Sequence, residues 1–171
     1  HLEFGRGRGA GDFFRGRTEL LSEINQYVAA DTPTPLIIEG EAGIGKTALM
    51  ARAADDLRLT RPHAELITRF VGATPSSSNG NSLLRGIYRD LAARYGRAET
   101  QTLNSGREMG RAFLEALAWA SAQRPIVIFI DALDELAGTD DLQYLSWFPA
   151  TLPPHARLVV SVTPGEHLAA L

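Results

Sequence analysis

An α/β fold is predicted for this 171-residue chain: a doubly wound, mostly parallel sheet of about four to five strands flanked by helices. Three observations predict it. β-like and helix-like segments alternate along the chain. The run Ile126–Asp131 is nearly all apolar and 157–163 is of similar type, which suits central parallel strands covered on both faces. A glycine-rich turn joins the β-like Leu36–Glu39 to a helix-like segment beginning at Lys46. At 18.5 kDa the chain is long enough for one such core and too short for two ordinary domains.

The elements follow in order. Residues 1–12, HLEFGRGRGAGD, are rich in Gly and Arg and carry no apolar period, so they read as a flexible arm or a cloning remnant, and the core is expected over 13–171. Leu20, Leu21, Ile24, Tyr27 and Val28 follow helical spacing and predict an amphipathic helix over 17–28, broken by the proline-containing stretch 31–35. After Leu36–Glu39 comes a helix over 46–57, rich in Ala, Leu, Met and Arg. A second strand is expected over 65–71, then a Gly, Pro, Ser and Asn-rich loop over 72–80, then a helix over 81–95. Phe113, Leu114, Leu117 and Ala118 place another helix over 107–122, which Pro125 separates from Ile126–Asp131. The fourth strand is 157–163, and no internal repeat is evident.

Composition narrows the function. A net charge of −3 and a pI near 5.8 supply no global field for nucleic acid or an anionic membrane. The chain has no cysteine and four histidines, which excludes disulfides and thiolate metal sites and argues against zinc. The apolar runs are far too short to cross a bilayer and the N-terminus lacks an apolar signal core, so a cytoplasmic location is expected. Lys46 is the single lysine among 17 Lys and Arg residues. A GC-rich genome explains the arginines but not the exception. A compact ammonium on a flexible stem reaches between phosphate oxygens where a planar guanidinium does not fit.

That lysine lies in GEAGIGKT, which matches G-x-x-x-x-G-K-[S/T] through Gly40, Gly45, Lys46 and Thr47. In this Walker A pattern the backbone of Gly40, Glu41, Ala42, Gly43, Ile44, Gly45, Lys46, Thr47 and Ala48 cradles phosphates, aided by the positive end of the following helix. Lys46 is expected on the β- and γ-phosphates and the Thr47 hydroxyl on Mg²⁺. The second pattern, PIVIFIDALDEL, is of Walker B type. Asp131 at the carboxyl end of its strand is expected to hold Mg²⁺ directly or through water. Asp134, and next Glu135, are candidates to orient or deprotonate the attacking water. The ligand is thus ATP, with GTP second, together with Mg²⁺.

These motifs and their separation resemble the STAND class of P-loop NTPases, and DALDEL is similar to its NACHT branch. The stretches RFVGATPSSSNGNSLLRGIYRDL and LPPHARLVVSVTPGEH look like the NACHT modules of large proteins related to nephrocystin-3 and the telomerase-associated protein, so the resemblance spans about residues 13–168. It implies that Gly16 and Arg17 of FFRGRTELL belong to a motif near the nucleotide base, with Arg17 on the adenine side, although Thr18 stands where the family has glutamate and a plain helix-start arginine is the other reading. It implies a sensor at the end of the fourth strand. The family often has Thr-Ser-Arg there; this chain reads SVTP, leaving Thr163 as the candidate and putting efficient hydrolysis in doubt. It also implies truncation before a lid and a winged-helix domain, hence an exposed sheet edge.

Three functions follow. The first is a signalling switch that binds ATP and Mg²⁺, hydrolyses slowly and controls the conformation or oligomerisation of a larger multidomain protein, with ATP or ADP, flanking domains and a nucleotide-dependent homo-oligomer as partners. The second is a nucleotide-dependent scaffold that barely turns over. The third is an AAA+ type DNA-associated ATPase, suggested by Arg6, Arg8, Arg15 and Arg17, which the acidic balance elsewhere disfavours. Trp119 and Trp147 read as core or interface aromatics, His63, His155 and His167 as loop or surface residues, and Arg85, Arg89, Arg107 and Arg111 as a solvated helix face.

Overall fold

The computed structural model describes residues 2–3, 12–30, 32–72, 79–98, 105–138 and 147–165, with side chains from residue 17 to 136 and from 147 to 165 within those spans. The described strands are β1 (Leu2–Glu3), β2 (Leu36–Glu39), β3 (Glu65–Phe70), β4 (Ile126–Asp131) and β5 (Ala156–Val162). All pair in parallel in the order β1-β2-β5-β4-β3. The described helices are α1 (Asp12–Ala29), α2 (Lys46–Thr60), α3 (Gly80–Arg94) and α4 (Gly106–Leu117), and a 3-10 turn runs over Leu133–Gly138.

Side chains of a strand alternate between faces, and both faces here are covered. Along β4, Ile126, Ile128 and Ile130 join Leu84, Ile87, Leu91, Met109, Phe113 and Leu117 in one core, built with α3 and α4. Val127 and Phe129 join Ile24, Val28, Leu49, Met50, Ala53 and Leu57 in a second, built with α1 and α2. The apolar run is thus two interleaved period-2 patterns, each satisfied by its own pair of helices, which is the doubly wound arrangement.

β2 and β4 match their expected bounds, β3 ends one residue early, α3 and β5 each lie one residue earlier at both ends, and α2 runs past its expected end at 57 to Thr60. Larger differences have local causes. The helix expected over 17–28 begins at Asp12, and Leu2–Glu3, expected in an arm without structure, pairs with Ile38 and Glu39. The helix expected to reach 122 ends at Leu117. There the amides of Ala118, Trp119 and Ala120 bond the carbonyls of Glu115, Ala116 and Leu117, three residues back, which tightens the last turn before Ser121 and Arg124 close the bend ahead of Pro125. The start of α4 is fixed by a capping box in which Ser105 and Glu108 each accept the other's amide.

On β3 the outward carbonyls of Leu66 and Thr68 accept hydrogen bonds from Arg94 and Arg69 at 3.1 and 3.0 Å, and on the other side β1 pairs with β2. Arginine caps of this kind remove acceptors that a foreign strand would use.

Candidate functional site

The phosphate-loop segment follows β2 directly. Gly40 is buried and its amide bonds the Val162 carbonyl at 3.2 Å, tying the loop's entry to β5. Gly43 and Gly45 take φ of 77° and 100°, left-handed values that L side chains avoid. Gly45 is the N-cap of α2 and makes no side-chain cap, so the first-turn amides have no intrahelical partner and face the loop. Glu41, Ala42, Gly43, Thr47 and Ala48 are exposed, whereas Ile44 and Gly45 are half-buried.

Lys46 is only 8% exposed. Its ammonium donates to the carbonyls of Gly40 at 2.5 Å and Glu41 at 3.1 Å, and to Thr163 Oγ1 at 3.3 Å. The candidate sensor hydroxyl therefore stands beside the loop lysine. Arg17 packs its guanidinium against Gly45: a Cβ at that glycine would collide with Nη2 and lie 3.3 Å from Cζ. Its Nε is buried with no partner among the described residues. Gly45 consequently has two reasons to be glycine, its backbone conformation and this close cation.

Asp131 ends β4 at 4% exposure, and its Oδ1 accepts a hydrogen bond from the hydroxyl of Ser161 on β5. Ser161 is fully buried, and its oxygen in turn accepts the Ala132 amide at 2.9 Å. Ala132 takes φ 57°, a left-handed conformation uncommon outside glycine, so the chain turns sharply after the carboxylate. Asp134 and Glu135 then sit in the 3-10 turn. Asp134 is half-buried and its Oδ1 has no partner among the described residues. Glu135 is exposed, with its carboxylate against Gly72 at φ 76°, where a Cβ would overlap it.

β5 thus lies between the two motif strands and touches both: Thr163 meets Lys46 and Ser161 meets Asp131. Asp131 and Thr47 offer hard oxygen donors, few in number, which suits Mg²⁺ sharing its shell with phosphates and water. The buried carboxylate and the partnerless Asp134 Oδ1 fit such an ion.

The residues that sequence reasoning missed are Ser161 and Gly72. A hydroxyl inside the apolar run LVVSV was the available signal for Ser161; no local signal marks Gly72, because its neighbour is distant in sequence. Of the other readings, Trp147 is buried, Trp119 is half-buried, and His63, His155, Arg85, Arg89, Arg107 and Arg111 are exposed. Arg6, Arg8 and His167 lie outside the described residues.

Residues 14–161 match the family model described as the AAA ATPase domain. The human NACHT and WD repeat domain-containing protein 2 is 33% identical over 165 residues, covering 91% of this chain and 10% of that protein. Human nephrocystin-3 is 28% identical over 151 residues, covering 86% of this chain and 11% of that protein. The resemblance to the NACHT branch of P-loop NTPases is borne out by these relatives. The chain spans about a tenth of their length. The solved ATPases 2 and 3 of Thermomonospora curvata EccC, in complex with a signal sequence peptide, cover 77% of this chain and 25% of theirs at 16% identity and a TM-score of 0.41.

Proposed function

From a chain that belongs to the AAA ATPase domain family, we propose a nucleotide-controlled switch: it binds ATP with Mg²⁺, hydrolyses it slowly, and sets the conformation or oligomeric state of a larger multidomain protein. The observation that carries this reading is the bridge through β5, which links the loop lysine and the buried strand-end aspartate by hydrogen bonds. Among the described residues no helix is long and apolar enough to cross a membrane.

In this reading the loop amides and the first turn of α2 bind the phosphates. Lys46 exchanges one of its carbonyl contacts for a γ-phosphate oxygen, and Thr163 holds the ammonium in line. Thr47 and Asp131 hold Mg²⁺, which offsets the charge on the phosphates. Asp134, with Glu135 beside it, orients the water and takes its proton as the water oxygen bonds to γ-phosphorus and the bond to the β-phosphate oxygen breaks, giving ADP and phosphate. Arg17, beside Gly45, lies on the nucleotide side of the loop. Base preference for ATP over GTP belongs to the same proposal.

A nucleotide-dependent scaffold is the second reading, favoured by one feature. The strand end reads SVTP, so a hydroxyl rather than a guanidinium stands next to Lys46, and a transition-state arginine is worth roughly 10³–10⁵ in rate. Phosphate release with Mg·ATP in large excess over the chain separates the two. The switch predicts slow multiple turnover that Asp134→Asn or Glu135→Gln stops without loss of binding. Retained nucleotide with no release above the buffer rate would instead establish the scaffold.

A further inference from the structure

Among the described residues, the buried polar or charged set is Lys46, Asp131, Arg157 and Ser161. Arg157 serves the opposite end of the sheet, where it donates to the carbonyl of Ala30. The remaining three converge at the carboxyl ends of the strands, and the proposed mechanism uses Lys46 and Asp131 but not Ser161.

A hydroxyl inside an apolar strand must be hydrogen-bonded to be tolerated, and alanine or valine would fill the same strand without that demand. Ser161 has both of its bonds assigned by proton count. The Ala132 amide can only donate, so the Ser161 oxygen accepts from it. An ionised carboxylate can only accept, so the single hydroxyl proton goes to Asp131 Oδ1. Ser161 thus takes Oδ1 of Asp131, and its rotor is fixed by the two bonds.

We propose that Ser161 is a positioning residue for the metal-binding carboxylate. It occupies Oδ1 of Asp131, leaves Oδ2 as the ligand oxygen for Mg²⁺ or its water, and pins the left-handed turn at Ala132 from which Asp134 and Glu135 follow. The amide of Glu135 bonds the Ala132 carbonyl at 3.0 Å, so the same anchor sets the start of the acidic turn. One hydroxyl thereby couples the metal ligand and the water-orienting carboxylates to β5, the strand that also contacts Lys46. This inference rests on the nucleotide and Mg²⁺ reading above.

The test is a Mg²⁺ titration of the whole chain with a fluorescent ATP analogue, run beside the same nucleotide titration in EDTA and a thermal melt. Losing an outer partner of a metal ligand typically weakens the ion about 10–100-fold, so Ser161→Ala should shift the Mg²⁺ midpoint by that factor. Its affinity for nucleotide in EDTA should stay within about twofold of the unmodified chain. Ser161→Thr keeps the hydroxyl and should keep the Mg²⁺ midpoint within about threefold. Ser161→Cys fills the site with a slightly larger thiol that is only a weak donor and should behave as Ser161→Ala does; it decides the question if the alanine variant melts below the assay temperature. An unmoved midpoint in a folded alanine or cysteine variant overturns the inference, and so does a parallel loss of binding in EDTA. No binding by the unmodified chain in either buffer would overturn the nucleotide reading and this inference with it.

Discussion

The two ends of the parallel sheet both carry charged and polar groups but treat them differently. At the amino end every prominent one is matched. Glu65, opening β3, accepts from Arg94 at 3.1 Å and from Arg124 Nε at 2.7 Å, and Arg124 also donates to the Arg94 carbonyl. The Tyr95 hydroxyl donates to the Arg124 carbonyl at 2.7 Å, while Arg124 lies 4.6 Å from the Tyr95 ring centre and Arg97 lies 4.7 Å from that of Trp119. Arg157 holds the carbonyl of Ala30, just past the end of α1, and Tyr27 reaches the carbonyls of Thr34 and Leu158. At the carboxyl end, Arg17 Nε and Asp134 Oδ1 are buried without partners among the described residues, and Gly43, Gly45, Gly72 and Ala132 hold left-handed backbone. Left-handed backbone occurs at the amino end too, at Gly96 and His155, so the unmatched charged side chains Arg17 and Asp134 are what set the carboxyl end apart.

Substitutions at the two ends should therefore separate catalysis from stability. Asp131→Asn removes the charge proposed to hold Mg²⁺, a contribution of several kcal/mol in the transition state, and should lower phosphate release by about 100-fold or more. Lys46→Ala deletes a charge-assisted contact and should weaken nucleotide binding roughly 10–100-fold, read by fluorescence titration. Gly72→Ala forces Glu135 away from its place and strains a left-handed backbone by about 1–2 kcal/mol. Turnover should fall while nucleotide affinity holds, and unchanged turnover would show that Glu135 is not placed by Gly72.

Smaller effects belong to the amino end. Arg124→Ala removes a partly exposed ion pair and a cation–π contact, together worth about 1 kcal/mol after solvent screening, so calorimetry should find a Tm lower by about 2–4 °C with nucleotide affinity unchanged. Burial pushes the phenols of Tyr27 and Tyr95 above their ordinary value, with Glu65 adding to the rise at Tyr95. A raised phenol contributes stability that is fully present below its unfolded value and lost as pH rises through the folded one. Melting should accordingly be flat up to about pH 10 and fall beyond it, more gently in Tyr95→Phe.

The same contrast explains what the sequence made legible. β2, β4 and the loop glycines could be read because each is a local pattern: an apolar run suited to burial on both faces, or a glycine spacing that a phosphate nest requires. Lys46 and Asp131 were legible for that reason. Ser161 and Gly72 were hidden because their roles arise from pairing across strands, β5 against β4 and the end of β3 against the acidic turn. The end of α4 was misread because helical spacing continues past Leu117 while the hydrogen bonds tighten to three-residue steps. The closure of the β3 edge depends on Arg94 and Arg69, whose side chains reach its carbonyls from α3 and from the strand itself.

The central claim is that one site at the carboxyl end binds nucleotide and Mg²⁺ together, through a β5 that touches both motifs. Its most direct test is the affinity of the unmodified chain for ATP with and without Mg²⁺, repeated in Asp131→Asn. Tighter binding with Mg²⁺ is expected in the unmodified chain, and in Asp131→Asn the EDTA affinity without the Mg²⁺ gain. Equal affinity with and without Mg²⁺ in the folded, unmodified chain would contradict it.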